Sequence, residues 1–124
     1  MKVHPRIAIV DDDDALRSAL GRLVRSFGYE AAQFSRAADL THEEARNIDC
    51  LVTDIQMPEM SGFELLRRLQ AERPRLPIIV MTAYPALHRE QEALGLGAVR
   101  FFAKPISASA LEAALRDILA GGGE

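Results

Sequence analysis

The chain has 124 residues, 48% hydrophobic and 27% charged, with 15 basic against 18 acidic side chains and a formal net charge of −3. That length fits one domain, at about 100–200 residues each, and the composition excludes disordered and collagen-like chains. A mildly acidic surface is a poor footprint for nucleic acid or an anionic membrane, so direct binding to either is not expected.

The single cysteine, Cys50, has no partner for an internal disulfide and suits a reducing compartment. The first apolar run, Ile7-Ala8-Ile9-Val10, stops at an aspartate, well short of the roughly 7–15 apolar residues of a signal peptide. The stretch 76–87 is uncharged but contains Pro77 and Pro85 and is too short to span a bilayer. A cytoplasmic location is the expectation.

Along the chain, short apolar runs at 7–10, 50–53, 78–81 and 99–102, with a weaker one at 29–34, read as buried strands. Between them the spacing turns helical. Leu16, Leu20, Leu23, Val24 and Phe27 make one stripe, closed by Gly28 as a C-cap. Phe63, Leu66 and Leu69 start a second, ending before Pro74, and Ala110, Leu111, Ala114, Leu115 and Ile118 form a third. The segments 36–46 and 86–95 are weaker helices. Strict strand–helix alternation predicts an α/β doubly wound (βα)5 sandwich, flavodoxin-like, with a parallel five-stranded sheet of order 2-1-3-4-5. Ligands in this architecture bind at the carboxyl ends of the strands. Residues 1–120 read as the domain, and 121–124 as a flexible glycine-rich tail or the start of a linker.

Four aspartates, Asp11 to Asp14, follow the first strand. Helix capping accounts for Asp13 and Asp14. It leaves Asp11 and Asp12 at the mouth of the sheet, where like charges repel. Asp54 follows the third strand, which neighbours the first in the expected order, so three carboxylates converge. Oxygen-only ligands select magnesium or calcium over zinc. Thr82 ends the fourth strand and Lys104 follows the fifth. The chain uses 13 arginines and only two lysines, Lys2 and Lys104, so a lysine here suits a compact point contact to phosphate or carboxylate. A carboxylate nucleophile, a cation site, a hydroxyl and an ammonium are the equipment for phosphoryl transfer onto aspartate.

Five pieces in order now resemble one family. They are Val10-Asp11-Asp12, Asp54-x-x-Met57-Pro58-x-x-x-Gly62, Met81-Thr82-Ala83, Gly97-Ala98 and Phe101-x-x-Lys104-Pro105. Together they look like the receiver domain of two-component response regulators, over essentially the whole chain. The pattern is most similar to receivers of nitrogen-fixation-type transcriptional regulators.

The resemblance implies a signalling phosphoacceptor that catalyses only its own phosphorylation and dephosphorylation. Asp54 would accept a phosphoryl group from a histidine kinase or phosphotransfer protein. Mg2+ would be held by Asp12 directly, by Asp11 largely through water, by Asp54, and by the backbone carbonyl of Gln56. Thr82 would bond a phosphoryl oxygen and Lys104 would pair with the phosphate, with Lys104-Pro105 as a cis peptide. Phe101 takes the place of the aromatic switch residue, and Gln56 and Tyr84 would stand at the rim, controlling hydrolytic water. A phosphorylation-dependent homodimer through the fourth helix, fifth strand and fifth helix is a further implication.

Other residues take structural readings: Cys50 and Phe63 as core, Met57 and Met81 as packing beside the site, and His4, His42 and His88 as surface residues without ligand spacing. Three alternatives compete. An aspartyl-phosphate phosphatase or transferase of the haloacid-dehalogenase type would want an acid where Gln56 stands. A flavodoxin-like cofactor binder would want a phosphate loop where the four aspartates are. A degenerate receiver acting only as a docking module would lack part of the set.

Overall fold

The computed structural model describes residues 4–56 and 62–122. Five strands, β1 (Arg6–Val10), β2 (Glu30–Phe34), β3 (Cys50–Asp54), β4 (Ile78–Thr82) and β5 (Arg100–Ala103), alternate with α1 (Asp14–Ser26), α2 (His42–Arg46), α3 (Gly62–Glu72), α4 (Leu87–Gly95) and α5 (Ala108–Gly122). All strand pairings are parallel, in the order β2-β1-β3-β4-β5, the order the alternation predicts.

Strands β3 and β4 are buried at every position, which is why they read as continuous apolar runs. Side chains alternate between two cores. Ala8, Val10, Leu51, Ile78 and Val80 face one core with Leu65, Leu66 and Leu69 of α3. Ile7, Ile9, Val52, Ile79 and Met81 face the other, with Leu20 and Val24 of α1 and Leu111 and Leu115 of α5. Each stripe read from the sequence supplies one of these faces. Gly28 and Gly97 follow α1 and α4 with φ of +97° and +102°, a conformation glycine adopts without penalty.

Two elements depart from the sequence reading. The helix expected over 36–46 is split into a 3-10 turn at Ala37–Asp39 and α2. Leu40 leaves helical geometry, and Thr41 caps a new start by accepting from the Glu44 amide. The last helix extends to Gly122, past the end of its apolar stripe, so Gly121 and Gly122 of the expected tail are helical. Its first turn is held by the Ser107 hydroxyl, which accepts from the Ala110 amide at 3.1 Å.

Candidate functional site: an acidic pocket closed by a lysine

Strand register builds the site. Val10 pairs with Thr53 across β1 and β3, so the next residues, Asp11 and Asp54, emerge side by side. Carboxylate oxygens of Asp11, Asp12 and Asp54 lie within 4.8 Å of one another. Asp11 and Asp54 are buried and Asp12 is exposed. Thr82 pairs with Ala103 across β4 and β5, and the Lys104 amide donates to the Thr82 carbonyl at 2.8 Å. That pairing turns Lys104 back over the strand ends, and its Nζ stands 2.9 Å from Oδ2 of both Asp11 and Asp54.

Each carboxylate has one oxygen tied to backbone. Asp11 Oδ1 accepts from the Asp13 amide at 2.9 Å, and Asp54 Oδ1 accepts from the Gln56 amide at 3.0 Å. Lys104 donates a hydrogen bond to Asp54 Oδ2. The same ammonium makes an ion pair with the buried Asp11 Oδ2, for which no hydrogen bond of good geometry is found among the described residues. Burial pulls the Lys104 ammonium down, but the carboxylates of Asp11 and Asp54 outweigh it and hold the group above its ordinary value of 10.5.

A buried oxygen whose one partner is an ammonium, set in an all-oxygen cluster, fits a hard divalent cation. Asp11, Asp12 and Asp54 are the side chains suited to hold one.

The remaining residues surround this pocket. Thr82 is buried, and its Oγ1 accepts from the Tyr84 amide at 3.0 Å. Tyr84 itself is 69% exposed and Gln56 is exposed, both two residues beyond a strand end. Phe101 lies deeper, paired with Val80 and half-buried against the core that holds α3. Lys104-Pro105 is cis. Asp13 caps α1 by accepting from the Leu16 amide at 3.1 Å, as capping predicts, and Asp14 sits in the first turn. Met57 and Pro58 lie outside the described residues. Cys50 is fully buried and its thiol is pushed up to about 12, chiefly by burial, which suits a core residue and not a reactive one.

Sequence reasoning passed over two residues that shape the pocket. Gly62 was only one letter of a motif. Its amide donates to the Ile55 carbonyl at 3.2 Å, and a Cβ there would overlap the Asp54 carbonyl oxygen and stand 2.5 Å from Ile55 Cα. Only a glycine lets α3 start this close to the backbone that carries Asp54. Arg17 is not singled out by any sequence motif. It donates to the Asp11 carbonyl at 2.7 Å and to Asp14 Oδ1 at 2.6 Å. The i,i+3 spacing of Asp14 and Arg17 signals the second contact, and nothing in the sequence signals the first.

Comparison with known proteins agrees with this geometry. The model of the response regulator receiver domain family matches residues 7–116. The transcriptional regulatory protein FixJ of Azorhizobium caulinodans is 40% identical over 111 residues, covering 89% of this chain and 53% of that protein. The response regulator protein TodT of Pseudomonas putida is 38% identical over 114 residues, covering 91% and 50%. This chain thus spans about half the length of these curated relatives. Among solved structures, a CheY-like receiver domain protein of Methanospirillum hungatei superposes with a TM-score of 0.89 at 28% identity, covering 97% of each chain. A receiver domain protein of Clostridium thermocellum gives 0.88 at 25% identity, covering 94% and 95%. No helix among the described residues is long and apolar enough to cross a membrane. From the strand ends, the acidic cluster and a match running through both, the chain belongs to the response regulator receiver domains of two-component signalling and is similar to those of FixJ-type regulators.

Proposed function

We propose that Asp54 is the phosphoacceptor of this receiver. A histidine kinase or phosphotransfer protein is the donor. An Asp54 carboxylate oxygen forms the new P–O bond as the donor's P–N bond breaks. The observation that carries this reading is the convergence of Asp11, Asp12 and Asp54 on one point, with Lys104 at 2.9 Å. Asp11, Asp12, Asp54 and the Gln56 carbonyl would hold Mg2+, which when bound would neutralise charge on the incoming phosphoryl oxygens. Lys104 keeps a fixed positive charge beside Asp54 and passes from carboxylate to phosphate as charge builds there. Thr82 offers a hydroxyl donor on the adjacent strand.

Output follows from what that hydroxyl does next. When Thr82 turns toward the phosphoryl group it vacates space beside Ala83, and Phe101 fills it. Burying more of that ring is worth about 1–3 kcal/mol, enough for a tenfold to hundredfold population shift. Among the described residues, the exposed large apolar side chains are Tyr84, Leu87, Leu94 and Val99, all on or flanking α4. This patch supports a phosphorylation-dependent dimer through α4, β5 and α5. Gln56 and Tyr84 stand at the rim and set the phosphate lifetime. The chain works in the cytoplasm as a signalling phosphoacceptor and not as an enzyme on a separate substrate.

The test is intact mass after exposure to a small acyl phosphate or a phosphohistidine donor. Mass should rise by one phosphate only with Mg2+ present, and Asp54→Asn should abolish the adduct. A stable adduct on serine or histidine would overturn the assignment.

A further inference from the structure

We infer that Arg17, on α1, is a positioning residue of the acidic pocket: it holds the backbone of Asp11 so that Oδ2 is left facing the cation site. The inference rests on the reading of Asp11, Asp12 and Asp54 as a divalent-cation site.

Asp11 is fully buried, and nearly all of its polar atoms are committed elsewhere. Its amide donates to the Phe34 carbonyl of β2 at 3.1 Å. Its Oδ1 accepts from the Asp13 amide. Its carbonyl lies past the last β1–β3 pair, Val10 with Thr53, and accepts from Arg17 Nη1 at 2.7 Å. Oδ2 alone remains, with Lys104 beside it. A buried carbonyl beyond its ladder needs a donor, and Arg17, six residues on in the first turn of α1, supplies it.

A surface ion pair with Asp14 does not explain this arrangement. The Asp14 side chain is 86% exposed and the Arg17 side chain 16%, so the arginine is directed inward while Asp14 stays in solvent. The planar fork makes both contacts at once, and an ammonium does not reproduce that geometry. Arg17 therefore ties the first turn of α1 to the strand end across the segment Asp11 to Asp13, which carries two of the three carboxylates.

Charge and position give opposite signs here, which makes the inference testable. Arg17 is a cation near a cation site, so its charge alone weakens Mg2+ binding, and removing it would tighten the site. If it positions Asp11, removing it loosens the site. Titration of MgCl2 into the 15N-labelled chain, read by amide shifts of residues 11–14 and 56, gives the affinity without any phosphoryl transfer. We expect Arg17→Ala to weaken Mg2+ about tenfold, the low end for outer contacts to a metal site. Arg17→Lys, which keeps the charge and loses the fork, should weaken it by a smaller factor. Arg22→Ala, an exposed arginine of the same helix, should change nothing. Arg17→Ala binding as tightly as wild type, or tighter, overturns the inference even if the variant is less stable, since a purely structural role moves stability alone. A wild type with no saturable response overturns the underlying metal reading, a result distinct from equal binding by both chains.

Discussion

Lys104 donates to Asp54 across the width of β4, at 2.9 Å and with both side chains largely buried. The ion pair joins the ends of β3 and β5, and the same ammonium stands over Asp11 on β1. Three of the five strand ends thus depend on one positive charge. Lys104→Met should destabilise the cation-free chain by about 3 kcal/mol, the order expected when buried charges lose their partner. The pH dependence has a definite sign. Because the folded-state value of Lys104 is raised above 10.5, its contribution is full below about pH 10.5 and is lost as pH rises through the raised value. Denaturant unfolding of wild type and Lys104→Met should show a constant gap from about pH 7 to pH 9 that closes only above about 10.5. A gap that closes near neutrality would show that the ion pair does not govern it.

Asp12 is the exposed member of the cluster, and among the described residues no ammonium stands against it as Lys104 does against its two neighbours. Its charge adds repulsion when no cation is bound. Asp12→Asn should raise the melting temperature in chelator by a few degrees, on the order of 0.5–1 kcal/mol, while reducing the stabilisation that Mg2+ adds by mass action. Asp54→Asn should gain less, because it also gives up a hydrogen bond to Lys104. Both variants melting below wild type in chelator would refute the stored repulsion.

Gly62→Ala sets propensity against space. In an open helix this change stabilises by about 0.5–1 kcal/mol. Here the added methyl meets the backbone of Asp54 and Ile55, which cannot rotate away as a side chain can. A loss of about 2 kcal/mol is expected, with shifted amide resonances at Ile55 and Gln56. A neutral or stabilising outcome would mean that α3 starts with more freedom than this contact allows.

Thr82→Ala should separate chemistry from output. Asp54 should still accept phosphate, because Thr82 neither supplies the attacking oxygen nor belongs to the cation-holding carboxylates. The dimer should not follow, because no hydroxyl draws the strand end inward. Sedimentation of wild type and Thr82→Ala, each with and without beryllium fluoride, reads the difference. Equal association of the two would refute the relay through Phe101.

Tyr84 stands 69% exposed two residues beyond Thr82. Its ring would screen a phosphoryl group on Asp54 from water. Tyr84→Ala should shorten the half-life of the phosphorylated chain a few-fold, less than the tenfold that about 1.4 kcal/mol of barrier represents. An unchanged half-life, followed by intact mass over time, would place Tyr84 outside that role.

The strands and the three strong helices were legible because burial dictates their residues. A strand buried on both faces, such as Cys50–Asp54, must be apolar until its end, and a helix covering a sheet must repeat apolar residues along one face, as Leu20 and Val24 do. Asp11, Asp54 and Lys104 were legible for a related reason. Charged residues directly after apolar strands all come to one edge of a parallel sheet, whatever else the fold does. The break at Leu40 was not legible, because the pattern over 36–46 suits a helix and only the Thr41 cap and the packing of Leu40 decide otherwise. Contacts between side chain and backbone stayed hidden as well. That Arg17 reaches the Asp11 carbonyl and that Gly62 lies against Asp54 depend on how α1 and α3 leave the sheet. A backbone carbonyl looks the same at every residue, so no residue type marks which one a guanidinium will find or which one leaves no room for a methyl group.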